Sequence, residues 1–308
     1  MKNNTITHIL VPLDFSESAL NALETAIAMA KQHNATITLL NVVDANALFE
    51  FKGFYYLSEK SINSIVEVSA RRLSALAKKV KGEHALNCNP EVTLGPVALS
   101  IIKTAFDIDA DLIIMGTHGV SGFRKFFIGS SAQNVIKIAS CPVLTVPCNR
   151  KWIEFKKILF LVRPVAAAIE KYDWVRKIVT NDSASMTLLV LAHTYDGEEK
   201  KLLQNFVKAL KAKTIKDKIK VSGTLKVGEK MPQAVLKMSK YIDPDVIVLT
   251  SSADSNLKQF FIGPFEQHVV NHVNVPVLSI KPKLVYPNLS VGIQQVHESS
   301  PTQIPILA

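Results

Sequence analysis

The residues best suited to chemistry lie in a glycine-rich loop that ends in two serines. Gly116 and Gly119 open the loop, and Gly129 closes it directly before Ser130 and Ser131, where a helical pattern begins. Glycine lets the backbone approach a ligand closely, and the free N–H groups and dipole of a helix start can hold phosphate. The pattern indicates a phosphate-binding loop. Its spacing matches neither a P-loop nor the dinucleotide fingerprint, so a glycine-rich turn without a ligand stays the alternative.

The charged residues near this loop bear on whether a bound phosphate would also be cleaved. Arg124 and Lys125 lie inside the loop and can balance phosphate charge, whereas residues 116–135 contain no carboxylate. A Mg²⁺ ion bound with a nucleotide would therefore rely on phosphates, water and Asp14. Phosphoryl transfer needs a positioned water, a metal and charge stabilisation, and only these three side chains are candidates for such roles. The sequence favours binding with at most slow hydrolysis, and no catalytic residue is assigned.

One histidine pair has the spacing of a metal site but favours a structural role. His268 and His272 are four residues apart on a predicted helix, so both imidazoles can lie on one face. Glu266 is the only nearby residue that offers a third ligand. We therefore predict no metal site.

The hydrophobic periodicity predicts the strands and helices around the glycine loop. In the first part of the chain, strands are predicted at 9–13, 36–43, 91–94, 112–115 and 143–146, and helices at 16–33, 58–81, 96–106 and 130–138. Ser16 or Ser18 is the predicted N-cap of the first helix. Strands joined by right-handed helical crossovers form a parallel sheet covered on both faces. Ligands bind such sheets beyond the carboxyl ends of the strands, which are marked here by Asp14 and Gly116.

The chain contains this arrangement twice, as an internal repeat. Three segments recur at a constant displacement of 134 residues, namely 111–115 as 245–249, 126–129 as 260–263, and 142–144 as 276–278. We predict an α/β protein of two tandem Rossmann-like domains, each a five-stranded parallel sheet flanked by helices. Their predicted bounds are 1–149 and 150–284, and residues 285–308 are predicted to form a flexible tail.

Three motifs in this order resemble the universal stress protein family. They are the opening segment 9–16, the spacing Gly116-x2-Gly119-x9-Gly129-Ser130, and the ending 141–146. The resemblance covers both copies, about residues 5–282. It implies an adenine nucleotide alpha hydrolase-like fold and ATP binding in the first copy. It also implies that Val143–Val146 and Val277–Ile280 form a pairing edge, that the two copies pack as a pseudo-dimer, and that the chain forms a homodimer.

The resemblance further implies which residues of the first copy meet the nucleotide. The adenosine would lie beside the end of the first strand and the adenine near the backbone of the second, while the ribose and phosphates would meet the glycine loop. The expected nucleotide-binding residues are Pro12, Leu13, Asp14, Val42, Met115, Gly116, His118, Gly119, Gly129, Ser130 and Ser131.

The second copy departs from this pattern. Arg163, Thr250, Ala253 and Pro264 stand at the positions of Asp14, Gly116, Gly119 and Ser130, and only Gly129 is kept, as Gly263. Side chains at the two former glycine positions are expected to crowd the phosphate path, and proline lacks a backbone donor. We predict that only the first copy binds ATP.

Composition and charge narrow the class of protein. The 308 residues are 48% hydrophobic, which supplies two packed cores and excludes a disordered chain. No apolar run approaches the ~20 residues of a membrane span, no secretory signal is visible, and Cys88, Cys141 and Cys148 form no CxxC pair. We predict a cytoplasmic protein that does not contact membranes.

The net charge of +10 belongs mostly to the second copy. Residues 151–308 hold 22 basic and 14 acidic side chains, against 14 and 12 in residues 1–150. Eight lysines lie within Lys200–Lys220, where Leu203, Phe206 and Leu210 follow the spacing of one helix face. The run has neither interleaved aromatic residues nor an arginine-rich readout pattern, so it indicates a solvated helix face rather than a nucleic-acid site.

The predicted function is that of an ATP-binding universal stress protein acting as a stress-response regulator or sensor. ATP would order the loop over residues 116–130 and change a surface that a regulatory protein reads. Two alternatives stay open. One is a slow ATPase or nucleotide transferase that uses the same loop, and the other is an interaction scaffold that binds no nucleotide.

Overall fold

The computed structural model describes residues 5–44, 58–117, 129–162, 168–179, 184–192, 197–227, 231–250 and 264–281. The elements of the first half are β1 (His8–Pro12), α1 (Glu17–His33), β2 (Thr36–Val43), α2 (Glu59–His84), β3 (Cys88–Leu94), α3 (Val97–Asp107), β4 (Leu112–Gly116), α4 (Ser130–Ile138) and β5 (Val143–Val146). Those of the second half are β6 (Lys157–Val162), α5 (Ala168–Ile178), β7 (Ser185–Ala192), α6 (Gly197–Lys216), β8 (Lys220–Val227), α7 (Met231–Ile242), β9 (Val246–Thr250), α8 (Pro264–His272) and β10 (Val277–Ile280).

Both halves have the same strand order. In the first half the order is β3-β2-β1-β4-β5, and every neighbouring pair is parallel. In the second half the order is β8-β7-β6-β9-β10, again with parallel neighbours. Helices connect the strands as crossovers. The predicted fold, two Rossmann-like units with five parallel strands each, is confirmed.

The two halves share one continuous sheet of ten strands. β5 and β10 pair antiparallel, with Leu144 opposite Leu278 and Thr145 opposite Val277. The hydroxyl of the buried Thr145 also donates to the carbonyl of Val277 at 3.3 Å. The strands expected to form a pairing edge therefore pair with each other inside the chain, which produces the pseudo-dimer.

The predicted bounds of β3 were too short. The strand begins at Cys88, which pairs with Ile37 of β2, and not at Glu91. Among the described strands, β3 lies at the outer edge of the sheet and pairs with β2 alone, and much of it is exposed. An edge strand of this kind needs no apolar run, so hydrophobicity could not mark the start of β3, which contains Asn89 and Pro90.

Specific side chains set the ends of α1. Ser16, and not Ser18, is the N-cap, because the Ser16 hydroxyl accepts from the N–H of Ala19 at 3.2 Å. Ser18 lies within the helix and is buried. The helix ends at Asn34, which takes a left-handed conformation with φ 54°, a conformation that asparagine tolerates well.

An aspartate ties two parallel strands together at the same place in each half. Asp111 precedes β4, and its Oδ2 accepts from the N–H of Thr7 at 2.7 Å and of His8 at 3.3 Å. Asp245 precedes β9, and its Oδ2 accepts from the N–H groups of Lys156 and Lys157, each at 2.8 Å. The repeated aspartate of the sequence therefore has a structural role at the amino ends of the strands.

The sheet carries one apolar core on each face. Successive strand residues point to opposite faces, so Ile9 and Val11 of β1 belong to one core and Leu10 to the other. The first core includes Ala22 and Ala26 of α1, and the second includes Val135 of α4 and residues of α3. Both cores continue into the second half.

The lysine-rich helix α6 packs as its periodicity predicted. Phe206 and Leu210 are buried, and Leu203 and Val207 pack against the same core. Most of the lysines lie on the exposed side, where Lys213 pairs with Asp173 of α5 at 2.9 Å. Among the helices of the described residues, none combines the length and apolar character required to cross a membrane.

Candidate functional site

A pocket lies at the carboxyl ends of β1 and β4 in the first half. β1 has β2 on one side and β4 on the other, so the chain leaves these strands in opposite directions and opens a crevice between them. Open α/β sheets bind ligands at this kind of switch point. The cavity of about 290 Å³ is near the lower limit of the ~300–1,000 Å³ typical of small-molecule sites.

The pocket is lined by the ends of β1, β2 and β4 and by parts of α1, α3 and α4. The lining residues are Pro12, Leu13, Asp14, Ala19, Leu40, Val42, Val97, Ile101, Met115, Gly116, Thr117, Gly129, Ser130, Ser131 and Ala132.

Backbone and side-chain hydrogen bonds fix the chain that leaves β1. The N–H of Leu13 donates to the carbonyl of Leu40 at 2.7 Å, and the Nδ2 of the buried Asn41 donates to the carbonyl of Leu13 at 2.6 Å. Asp14 Oδ1 then accepts from the N–H of Ser16 at 3.0 Å. These bonds hold the exposed Asp14 at the pocket rim, directly before α1 begins.

The residue after Asp14, Phe15, has a left-handed backbone conformation, and an arginine side chain lies over its ring. Phe15 has φ 62°, which is uncommon for a bulky side chain. The guanidinium of Arg72 on α2 lies 4.1 Å from the centre of the Phe15 ring, a cation–π distance. α2 therefore braces the turn that presents Asp14.

Gly116 is required by packing within the protein. A Cβ built at this position would lie 2.3 Å from Ser18 Oγ, 2.7 Å from Ser18 C and 2.8 Å from Ser18 O. The end of β4 thus touches the first turn of α1 with no room for a side chain. From the sequence, a side chain at position 116 was expected to crowd a bound phosphate. The structure shows that a side chain there would also clash with the first turn of α1.

Gly129 is required by neither backbone conformation nor packing among the described residues. Its φ of −60° and ψ of 151° are open to any residue, and a Cβ built on it meets nothing within 4 Å. Its N–H donates to the carbonyl of Thr117 at 2.9 Å, which joins the two ends of the glycine loop. Neither the backbone conformation nor the packing of the described residues explains this glycine, so its place at the pocket wall fits a site that must leave room for a ligand.

The helix that begins at Gly129 supplies free donors to the pocket. Among the residues that the structure describes, no side chain caps the N-terminus of α4, and the first turn contains no acidic residue. The N–H groups of the first helical residues have no partner within a helix, and those of Ser130, Ser131 and Ala132 are at the pocket wall. Such a helix end favours a negatively charged group.

The remaining wall of the pocket is apolar. Leu40, Val42 and Met115 come from the strands, and Val97 and Ile101 come from α3. Asp14 is the only charged side chain among the lining residues that the structure describes. The pocket therefore combines a flat apolar wall, one carboxylate and the positive end of a helix, which is the set of groups that a base, a sugar and a phosphate chain require.

Nine of the eleven residues expected from the sequence line this pocket, and His118 and Gly119 lie outside the described residues. Arg124 and Lys125 lie outside them as well. The sequence did not single out the apolar lining residues Leu40, Val97 and Ile101. Val97 and Ile101 are one helical turn apart directly after Pro96, a signal that was present but also suits an ordinary core helix.

In the second half, the described residues differ at the matching places. β9 ends at Thr250 where β4 ends at Gly116, and α8 begins at Pro264 where α4 begins at Ser130. Proline has no N–H, so α8 begins with one donor fewer. The other two substitutions noted in the sequence, Arg163 and Ala253, lie outside the described residues.

The histidine pair of α8 is held by its own helix. The rings of His268 and His272 stack with centroids 4.0 Å apart, and His272 Nδ1 lies 2.7 Å from the carbonyl oxygen of His268. Within the described residues, no group of three or more His, Cys, Asp and Glu side chains is arranged for a metal ion.

The repeated strand order within one ten-stranded sheet and the pocket at the switch point define a Rossmann-like α/β protein with a doubled unit. The model of the universal stress protein family matches residues 5–147 and 177–281. The chain belongs to the universal stress protein family.

Individual relatives agree with this assignment. A universal stress protein of Methanocaldococcus jannaschii is 32% identical over 150 residues, which cover 48% of this chain and 86% of that protein. A solved universal stress protein of Archaeoglobus fulgidus covers 91% of this chain and 98% of its own, with a TM-score of 0.69 and 20% identity. A functionally unknown protein of Pseudomonas aeruginosa covers 91% of this chain and 94% of its own, with a TM-score of 0.60 and 17% identity. The two solved structures share the fold of the whole tandem.

Proposed function

We propose that this protein binds one ATP per chain in the pocket of its first half and acts as a stress-response regulator or sensor. The observation that carries the proposal is the uncapped N-terminus of α4, which opens into a pocket at the switch point of the sheet. The resemblance of the sequence motifs to ATP-binding universal stress proteins supplies the identity of the ligand.

Each part of the nucleotide has a matching wall. Val42, Ile101 and Met115 offer apolar surface for an adenine. Asp14, at the rim, can accept hydrogen bonds from ribose hydroxyls. The free N–H groups at the start of α4 and the hydroxyls of Ser130 and Ser131 suit the phosphates. His118 and Gly119 belong to the proposed set through the resemblance of the motif.

Binding is favoured over catalysis by the character of the described lining. Hydrolysis of ATP requires a positioned water, a metal and charge stabilisation, and Asp14 is the only ionisable side chain that the described lining offers. A Mg²⁺ ion would arrive with the phosphates and would have this one carboxylate near the rim. We therefore propose a binding protein with at most slow ATP hydrolysis.

The proposal extends to the assembly and location of the protein. The second half is proposed to be a structural partner that binds no nucleotide, because Thr250 and Pro264 replace the residues of the first site. We propose domain bounds of 1–149 and 150–284, a homodimer, a regulatory protein as partner, and a cytoplasmic location, with which three unpaired cysteines agree.

The substitution Ser130→Pro tests the phosphate contact without disturbing the fold. Proline is well tolerated at the first position of a helix, and Gly129 has the φ and ψ that a residue before proline requires. The change removes one N–H from the α4 terminus and copies the residue that the second half has at this place. A hydrogen bond to a charged group contributes about 1.5–3 kcal/mol, so the dissociation constant for ATP should rise about 10- to 100-fold.

Calorimetric titration of the full chain with ATP, with and without Mg²⁺, measures both the affinity and the number of sites. Ser130→Ala is the matched control, because it keeps the backbone N–H and removes only the hydroxyl, so its affinity should fall less. The reverse change Pro264→Ser should not create a second site. Two nucleotides per chain, or equal affinity for wild type and Ser130→Pro, would overturn the proposal. A wild-type chain that binds no nucleotide would favour the scaffold alternative.

A further inference from the structure

Four large apolar side chains are exposed around one groove in the first half. Phe106 is 73% exposed, Leu99 58%, Ile138 55% and Leu94 48%. They surround a groove of about 780 Å³ between the end of β3, the length of α3 and the end of α4. This surface, which we name the α3 apolar face, lies on the other side of α3 from the nucleotide pocket, where Val97 and Ile101 point.

The second half shows that the fold does not require this apolar surface. The matching elements start 134 residues later, α3 corresponding to α7 and α4 to α8. At this displacement, Leu99, Phe106 and Ile138 correspond to Gln233, Lys240 and His272. Leu94, which pairs with Val43 of β2, corresponds instead to the apolar Val227, which pairs with Ala192 of β7. The second half therefore builds the same helices with polar residues at the three helical places. The apolar side chains at these three places of the first half must serve something other than folding.

We propose that the α3 apolar face is the surface through which two copies of this chain associate. The inference adds a surface to the homodimer proposed above and does not depend on nucleotide binding. The pairing edge of the sheet is already consumed inside the chain, because β5 pairs with β10. A second copy must therefore use another surface.

The exposed area suits an interface between two copies. With about 200 Å² for a fully exposed phenylalanine side chain and somewhat less for leucine and isoleucine, the four residues offer about 400 Å². A stable interface buries about 800 Å² on each partner, and about 65% of a homodimer interface is apolar. The α3 apolar face thus supplies about three quarters of the apolar area that one partner contributes.

The charges around the face also suit a second copy. Lys103 and Asp107, which pair with each other on α3, and Glu91 line the groove. The rim therefore carries both signs and no large excess of either, so that two copies can meet across a two-fold axis. Contact through the first half joins two units of net charge +2 and keeps apart the second halves, whose 22 basic and 14 acidic residues would repel each other. Pro90 lacks an N–H on the edge strand β3, which favours contact through the helix over extension of the sheet.

Sedimentation equilibrium of the full chain tests the inference with residues borrowed from its own second half. Leu99→Gln combined with Phe106→Lys copies Gln233 and Lys240 onto the first half. The wild type should be a dimer, and the double variant should dissociate with a dissociation constant at least about tenfold higher. Tyr241→Lys is the matched control, because Tyr241 is 86% exposed on α7 and should leave association unchanged. Thermal melting of each variant checks that the fold is retained.

Each result has a defined meaning. A wild-type chain that stays monomeric up to about 100 μM overturns both the homodimer and this surface. A double variant that dimerises as well as wild type overturns the surface and leaves the homodimer standing. Loss of association in Tyr241→Lys likewise overturns it. ATP titration of the same double variant separates these outcomes from failure of the nucleotide proposal, since that site should be unchanged.

Discussion

Replacing Gly116 by alanine tests the contact between the end of β4 and the first turn of α1. The added Cβ would lie 2.7 Å from the carbonyl carbon of Ser18 and 2.8 Å from its carbonyl oxygen. Carbon atoms in contact normally lie ~3.5–4.0 Å apart, so the overlap is about 1 Å. The Ser18 hydroxyl can rotate away from the new methyl group, whereas the Ser18 backbone cannot.

The cost follows from what must move. Ser18 is buried, and the turn that contains it is fixed by the bond from the N–H of Ala19 to Ser16 Oγ at 3.2 Å. Overpacking a core costs ~1–3 kcal/mol. Because the clash is with backbone on both sides, we expect about 2–3 kcal/mol, which lowers the melting temperature by about 4–12 °C for a unit of this size.

Urea unfolding followed by circular dichroism, with calorimetric melting, measures this loss. Gly82→Ala is one control, since Gly82 lies in α2 with open space around its Cβ position, and alanine there should add about 0.5–1 kcal/mol. Gly129→Ala is the second, because its φ, ψ and surroundings accept a side chain. Because Gly129 is the N-cap of α4, where glycine is preferred to alanine, this change should cost about 0.5–1 kcal/mol, well below the cost expected at Gly116.

The reasoning is refuted if Gly116→Ala is as stable as wild type. The two glycines would then differ in no structural respect, and the sequence-based view that both exist only for a ligand would be restored. The expected result is instead that Gly116→Ala unfolds early and Gly129→Ala does not. A loss of nucleotide affinity in Gly116 variants is therefore no proof of a direct ligand contact.

Two further predictions concern titratable groups. Burial, aided by the charge of Lys177, lowers the pKa of His33 below 6.5, although Asp111 acts in the opposite direction. Below about pH 6.5 the unfolded chain binds a proton at His33 more readily than the folded chain does, so the free energy of unfolding falls as the pH drops. In His33→Gln the melting temperature should therefore fall less between about pH 7 and pH 5 than in the wild type. The same fall in both proteins would contradict this prediction. Burial raises the pKa of the Cys88 thiol to about 11 and of the Cys141 thiol to about 12. A thiol reagent should label the exposed Cys148 first, the half-buried Cys141 more slowly and the buried Cys88 last. Equal labelling rates for all three thiols in the native protein would contradict this order.

The periodicity of the first half was sufficient to place nearly all of its elements. β2 and β5 have the predicted bounds, and α4 spans its predicted 130–138. These segments are buried or amphipathic, so the pattern of apolar residues reports their packing directly. The predicted β3 was too short because an edge strand with exposed residues has few of the apolar residues on which the prediction depends.

Some residues of the candidate site could be recognised in the sequence and others could not. Glycines, serines and Asp14 were visible in the sequence because their types are unusual at strand ends and helix starts. The apolar residues Val97 and Ile101 were not, since a pocket wall and a core look alike in sequence. The role of Gly116 toward Ser18 could not be predicted either, because these residues meet only when β4 lies against α1.

Residue types and their spacing were enough to show that the protein is a duplicated α/β unit in which the first copy keeps the glycine-loop pattern. Those features depend on residue type, local periodicity and a constant displacement of 134 residues. Three further features became visible only in the folded chain. β5 and β10 join the halves into one sheet, Gly116 makes room for α1 whereas Gly129 lies at an open pocket wall, and four apolar side chains surround one groove. Each of these is a contact between residues far apart in the chain, and such contacts are fixed by how the elements pack.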